Sequence, residues 1–132
     1  MRLLWIDDDI WLLKSIVESL EKANVIVETA QTFMEAKEKL RKSSFDAFLV
    51  DLIMPHGDSF DEKENQVLPE HQFTGLRVVK EIRKVDKLSP IFILSVVSDE
   101  RIEQHLRKYQ IKKIFRKPFL PSDLKRELLN ID

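Results

Sequence analysis

Four short apolar runs in this chain each give way to a polar side chain with useful chemistry. Asp7-Asp8-Asp9 follows Leu3-Leu4-Trp5-Ile6, and Asp51 follows Ala47-Phe48-Leu49-Val50. Ser95 follows Ile91-Phe92-Ile93-Leu94, and Lys117 follows Ile114-Phe115-Arg116. Each run has the length and bulk of a buried strand, and near-continuous apolar strands belong in parallel sheets covered on both faces. In open α/β sheets, ligands bind outside the carboxyl ends of the strands. If these strands are parallel neighbours, the four polar signals converge on one site.

The rest of the chain supplies the helices such a sheet needs. Strands are expected at Arg2–Asp7, Val25–Glu28, Asp46–Val50, Ile91–Leu94 and Lys113–Arg116. Helices are expected at about Asp9–Ala23, Thr32–Lys42, Leu76–Val85, Ser98–Tyr109 and Ser122–Leu129. Leu13, Ile16, Val17 and Leu20 form one apolar helical stripe. Leu76, Val79, Ile82 and Val85 are the expected inner face of the third helix. Thr32 and Glu35 have the spacing of a capping box. Strict alternation of strand and helix predicts an α/β fold, a doubly wound five-stranded parallel sheet with right-handed crossovers. The strand order 2-1-3-4-5 would set strand one beside strand three and bring the two acidic signals together.

Composition narrows the function. The 132 residues fit one domain, and 43% apolar content is enough for a core. The net charge of −1 gives no case for direct nucleic-acid or membrane-surface binding. The absence of cysteine excludes disulfides and thiolate metal sites. No apolar run approaches the length of a membrane span, and no leader-like segment is read at the N-terminus. A cytoplasmic location is the expectation. One polar stretch, about 56–73, breaks the alternation and leaves the third strand just after Asp51. Connections this long are uncommon in compact domains. The domain reading is therefore 1–132 as one unit with an insertion at about 56–73 and no second domain visible.

Asp7, Asp8 and Asp51 held close together would repel one another, and a divalent cation relieves that. Oxygen-only ligands point to Mg²⁺ or Mn²⁺ rather than Zn²⁺. A carboxylate beside such an ion can act as a nucleophile toward phosphorus. Lys117 and the Ser95 hydroxyl are placed to stabilise the charge of the transferring group.

With these motifs in order, the chain resembles the receiver domains of two-component response regulators, which are CheY-like with a flavodoxin-like (βα)5 fold. The resemblance rests on the acidic cluster in Leu4-Trp5-Ile6-Asp7-Asp8-Asp9 and on Asp51 in Phe48-Leu49-Val50-Asp51-Leu52-Ile53-Met54-Pro55. It rests also on Ser95 in Ile93-Leu94-Ser95 and on Lys117-Pro118-Phe119. It implies that Asp51 is the phosphoacceptor, Ser95 the switch hydroxyl and Lys117 the phosphoryl partner. Asp8 would bind Mg²⁺ directly, Asp7 through water, with Asp51 and the Ile53 backbone carbonyl completing the protein ligands. It implies a sensor histidine kinase or phosphotransfer protein as donor, a downstream protein of unknown identity, and a possible homodimer. Pro118 would follow the lysine through a cis bond. The domain would catalyse its own phosphorylation while serving mainly as a switch.

Three positions depart from the family pattern. Val96 replaces a small residue after the switch hydroxyl and is expected to narrow access to Asp51. Ile114 stands where Tyr or Phe is usual, which removes an aromatic rotamer switch. Thr74-Gly75 replaces Asp-Gly at the entry to the third helix. Other polar groups take plainer readings. Asp9 is read as a helix cap, His56 and His71 as solvated loop residues, His105 as structural, and Trp5 and Trp11 as packing. The basic group Arg101, Arg107, Lys108, Lys112 and Lys113 is read as a solvated face rather than a site for an acidic partner. Two other functions stay open: a phosphate-independent receiver-like binding module, and a haloacid-dehalogenase-like phosphatase built on Asp7-Asp8-Asp9. The second lacks the further acidic pair needed after Lys117.

Overall fold

The computed structural model describes residues 1–8, 14–52, 74–96 and 100–131. The strands are β1 (Arg2–Ile6), β2 (Ile26–Ala30), β3 (Ala47–Asp51), β4 (Ile91–Ser95) and β5 (Lys113–Arg116). The helices are α1 (Lys14–Lys22), α2 (Phe33–Lys42), α3 (Thr74–Val85), α4 (Glu100–Arg107) and α5 (Pro121–Leu129). All four strand pairings are parallel and the order is β2-β1-β3-β4-β5, as the alternation predicts. The insertion, Asp9, Trp11, Leu13, Ile53, His56, His71 and Ser98 lie outside the described residues.

Side chains alternate across the sheet and build a core on each face. Leu4, Ile6, Phe48, Val50, Ile91 and Ile93 pack toward α2, α3 and α4 with Leu40, Leu76, Ile82 and Leu106. Leu3, Trp5, Leu49, Phe92, Leu94 and Phe115 pack toward α1 and α5 with Ile16, Leu20, Leu124 and Leu128. Each such side chain contributes about 1.5–3 kcal/mol when fully buried. The middle strands β3 and β4 are buried along their whole length, which is why their sequences read as unbroken apolar runs.

Local chemistry sets the ends. The Thr32 hydroxyl accepts from the Glu35 N–H at 3.1 Å, and the Glu35 carboxylate accepts from the Gln31 N–H at 2.8 Å. The capping pair is therefore formed, with the return bond one residue earlier than the reciprocal motif has it. α1 stops at Asn24, whose φ of 68° lies in the left-handed region that Asn tolerates. Its N–H donates to Glu21 O and that of Val25 to Leu20 O, so two orphan carbonyls are satisfied.

Three expectations need correction. β2 runs Ile26–Ala30 rather than Val25–Glu28, because its pairing with β1 continues to Ile6↔Ala30. α4 ends at Arg107 rather than Tyr109, since the Tyr109 N–H turns back to Leu106 O. Val85 is 65% exposed while Val78 is fully buried. Each three-residue step falls about 60° short of a full helical turn, so three steps carry Val85 to the far side.

Arg83 ties the opposite end of the sheet from Asp51. Its guanidinium donates to Tyr109 O (2.7 Å), Ser89 O (2.8 Å), Asp86 O (3.1 Å) and Gln110 O (3.2 Å). Beside it, Asp86 Oδ1 accepts from the N–H groups of Ser89 (2.9 Å) and Leu88 (3.1 Å). Burial pushes the Asp86 carboxyl up, but the Ser89 and Leu88 hydrogen bonds and the Arg83 charge outweigh it and hold the group below its ordinary value. The stabilisation is therefore complete above the unfolded-state pKa, near 4, and is lost as pH falls through the depressed folded value. Asp86→Asn should lower the urea midpoint at neutral pH, with the gap from wild type closing between about pH 5 and pH 3. A gap that stays constant over that range would rule out this role for the carboxylate.

Gly75 lies where α3 starts against the end of β3. A Cβ there would sit 2.5 Å from Asp51 O and 2.6 Å from Leu52 Cα, and backbone cannot swing aside as a side chain can. Gly75→Ala should cost about 1–3 kcal/mol of stability, read by chemical denaturation, because it overpacks this contact.

Candidate phosphoacceptor and metal site

The β1–β3 pairing is the point where strand order reverses. Ile6↔Val50 register sets Asp7 and Asp51, the next residues, at adjacent strand ends. The Asp7 N–H extends the β1–β2 ladder to Ala30 O at 2.9 Å, which fixes its backbone. Asp51 is fixed by its place as the last residue of β3, paired with Leu94, and by its neighbour Leu52. The Leu52 N–H donates to Leu94 O at 2.9 Å, and Leu52 O accepts from the Gly75 N–H at 3.0 Å.

Asp7 is fully buried, Asp51 is 5% exposed and Asp8 is exposed. One carboxylate oxygen from each of the three lies within 4.8 Å of the others. At that separation two unit charges repel by about 3 kcal/mol at an effective dielectric constant of roughly 20. Lys117 offsets part of this, with Nζ 3.5 Å from Asp51 Oδ2. The Lys117 N–H also donates to Ser95 O at 2.8 Å, so the ends of β4 and β5 are joined beside the acidic group. Ser95 is 2% exposed at the end of β4. The Lys117–Pro118 bond is cis, as the resemblance implies.

Thus the fold gathers Asp7, Asp8, Asp51 and Lys117 at the ends of its strands and places Ser95 on the strand between β3 and β5. Three oxygens without a nitrogen or sulfur donor suit a hard divalent cation. The plainer readings also find their places. Trp5 is fully buried in the core, and the His105 ring packs edge-on to Tyr109 with centroids 5.9 Å apart. Val96 is 66% exposed, which places its side chain mostly in solvent. Ile114 is partly buried against the core on the α4 side. In the sequence, Thr74-Gly75 stands out only as a departure from the family pattern. Its close approach to Asp51 O makes Gly75 a positioning residue, and only the backbone geometry reveals that.

No protein-family model matches the chain. It is 31% identical over 99 residues to the transcriptional regulatory protein CpxR homolog of Haemophilus influenzae, a match covering 75% of this chain and 36% of that protein. The chain spans 36% and 55% of the lengths of two curated relatives it matches. Its fold is similar to a CheY-like response regulator receiver domain protein from Methanospirillum hungatei (TM-score 0.78, 20% identity, 97% of this chain and 90% of that one). It is similar also to the response regulator TrrA of Thermotoga maritima, solved with Mg²⁺ and BeF (TM-score 0.73, 25% identity, 99% and 98%). The chain belongs with the CheY-like receiver domains of two-component response regulators.

Removing one charge should relax the crowding. In metal-free buffer, Asp51→Asn should melt above wild type by roughly 3–5 °C, about 1 kcal/mol for a domain this size. Adding Mg²⁺ should then stabilise wild type more than the variant, because binding to the folded state adds stability. Equal Mg²⁺ responses in thermal melts would contradict a shared site.

Proposed function

We propose that Asp51 accepts a phosphoryl group from the phosphohistidine of a sensor histidine kinase or phosphotransfer protein, with Mg²⁺ or Mn²⁺ held by Asp7, Asp8 and Asp51. The observation that carries this reading is the meeting of three carboxylates with the Lys117 ammonium at the carboxyl ends of β1, β3 and β5. A relative named as a transcriptional regulatory protein and a neighbour named as a response regulator, the latter solved with Mg²⁺ and BeF, support it. The resemblance adds the Ile53 carbonyl as a ligand, though that residue lies outside the described ones. The bound cation supplies positive charge to the carboxylates and to the transferring group.

The chain's own residues have distinct tasks. An Asp51 oxygen forms the new bond to phosphorus as the P–N bond to histidine breaks, and the bond pair leaves with the imidazole nitrogen. Burial of Asp51 keeps water from competing along most approaches. Lys117 provides a point charge for a phosphoryl oxygen, and the Ser95 hydroxyl donates a hydrogen bond. The added charge, about −1.5 to −2 for phosphate esters near neutral pH, draws both groups inward. Because the Lys117 N–H is bonded to Ser95 O, a shift of one strand end is felt by the other. The face made by α4, β5 and α5 then moves between two packings and is read by a downstream protein. Residues 1–132 act as one receiver unit that carries the 56–73 insertion, in the cytoplasm.

Acetyl phosphate with Mg²⁺ should add phosphate to wild type and not to Asp51→Asn, as measured by intact mass. Equal modification of both proteins overturns the assignment of Asp51. Modification that persists after the cation is chelated overturns the role given to the metal.

A further inference from the structure

The two ends of the sheet carry opposite charge. Each helix returns to the next strand at the amino end, away from Asp51, and the strand starts there are cross-linked. The Ile26 N–H donates to Met1 O, that of Asp46 to Arg2 O, that of Phe48 to Pro90 O and that of Lys112 to Ile91 O. Counted from the last two residues of each helix to the first of the next strand, with Met1 and Arg2, this end holds ten basic side chains and three acidic ones. By sequence, the connections leaving the carboxyl ends of the strands hold nine acidic and two basic ones. A net charge of −1 therefore conceals a strongly basic end and a strongly acidic one. Aliphatic side chains stand out of the basic end. Leu88 is 92% exposed and Ile26 59%, with Val85 three residues before Leu88 and Met1 beside Ile26 exposed as well. Leu88 is held out by a fixed turn, because Asp86 Oδ1 accepts from the Leu88 and Ser89 N–H groups and the Ser89 hydroxyl donates to Phe45 O at 3.3 Å.

We propose that this end of the molecule docks on an anionic lipid bilayer, with Leu88 and Val85 entering the interface and Arg41, Lys42, Lys84 and Lys87 meeting the headgroups. The ends of α2 and α3 present these groups together, since Arg41 and Val85 line one cleft and all four cations are exposed. Basic residues in the last turn of a helix offset its dipole, which accounts for Lys42 and Lys84. It does not account for Lys87, which lies beyond α3, nor for a leucine projected into water beside it. Glu38 pairs with Arg41 and Lys42, and Glu81 with Lys84, but exposed pairs of this kind contribute little and yield to a stronger negative surface. A bilayer offers both an apolar layer for the aliphatic tip and a negative plane for the cations. A nucleic acid is the poorer occupant. Among the described residues no large exposed apolar side chain is aromatic, so no ring is offered to a base. The same lipid charge repels the acidic end, so Asp51 faces away from the membrane.

The test is co-sedimentation of the full chain with vesicles of phosphatidylcholine containing about one-third phosphatidylglycerol, set against phosphatidylcholine alone. Wild type should bind the anionic vesicles about tenfold more tightly or better, and the difference should shrink as salt rises. Lys84→Glu/Lys87→Glu should lower binding about tenfold, and Leu88→Ser severalfold. Both variants should keep their thermal melts and their Asp51 modification, since the three residues are exposed. The chain has no cysteine, so Leu88→Cys and Val96→Cys each take a single environment-sensitive fluorophore. The label at position 88 should shift to the blue on anionic vesicles, and the label at position 96, at the carboxylate end, should not. The proposal is overturned by equal binding to both vesicles or to neither, by wild-type binding of Leu88→Ser, or by equal shifts of the two labels. Release from the vesicles by a short DNA duplex at equal phosphate concentration overturns it too. Asp51→Asn should bind lipid as wild type does, so a failure of the phosphoacceptor reading is told apart from a failure of this one.

Discussion

Everything at the strand ends follows from the pairing of β1 with β3 in the register Ile6↔Val50. Two carboxylates separated by more than forty residues of chain become neighbours because two apolar strands lie side by side. The cost of crowding them is met by the buried surface of those strands, which outweighs a few kilocalories of repulsion. A one-residue slip would turn every side chain to the other face and separate the charges. Asp7 and Asp51 are thus placed by the most buried part of the sheet.

The ladder also explains how two other groups reach the same place. β4 sits beside β3 and brings Ser95 to the end of the sheet, and β5 does the same for Lys117. One backbone bond, Lys117 N–H to Ser95 O, locks those two ends together. Gly75 serves the same end from the helix side. Its missing side chain lets α3 begin against the Asp51 carbonyl, so one helix position shapes the acidic pocket without contributing a charge.

Much of this was legible in the residues. The unbroken apolar strands, the strict alternation and the polar residue closing each strand were enough for the sheet order and for the meeting of Asp7, Asp8 and Asp51. What could not be read depends on geometry beyond local pattern. Val85 continues an apolar three-residue spacing yet faces solvent, because that spacing does not match the helical pitch. The limits of β2 are decided by its partner strand rather than by its own composition.

The Arg83 guanidinium has a consequence for how the molecule tolerates change. Its four carbonyl acceptors belong to the connections that follow α3 and α4, remote from the carboxylate end. Anchorage and chemistry are therefore segregated to opposite poles of the sheet. Exposed positions at the carboxylate pole, such as Asp8 and Val96, can therefore change without touching the Arg83 anchorage, while the anchored pole has little freedom to vary at all.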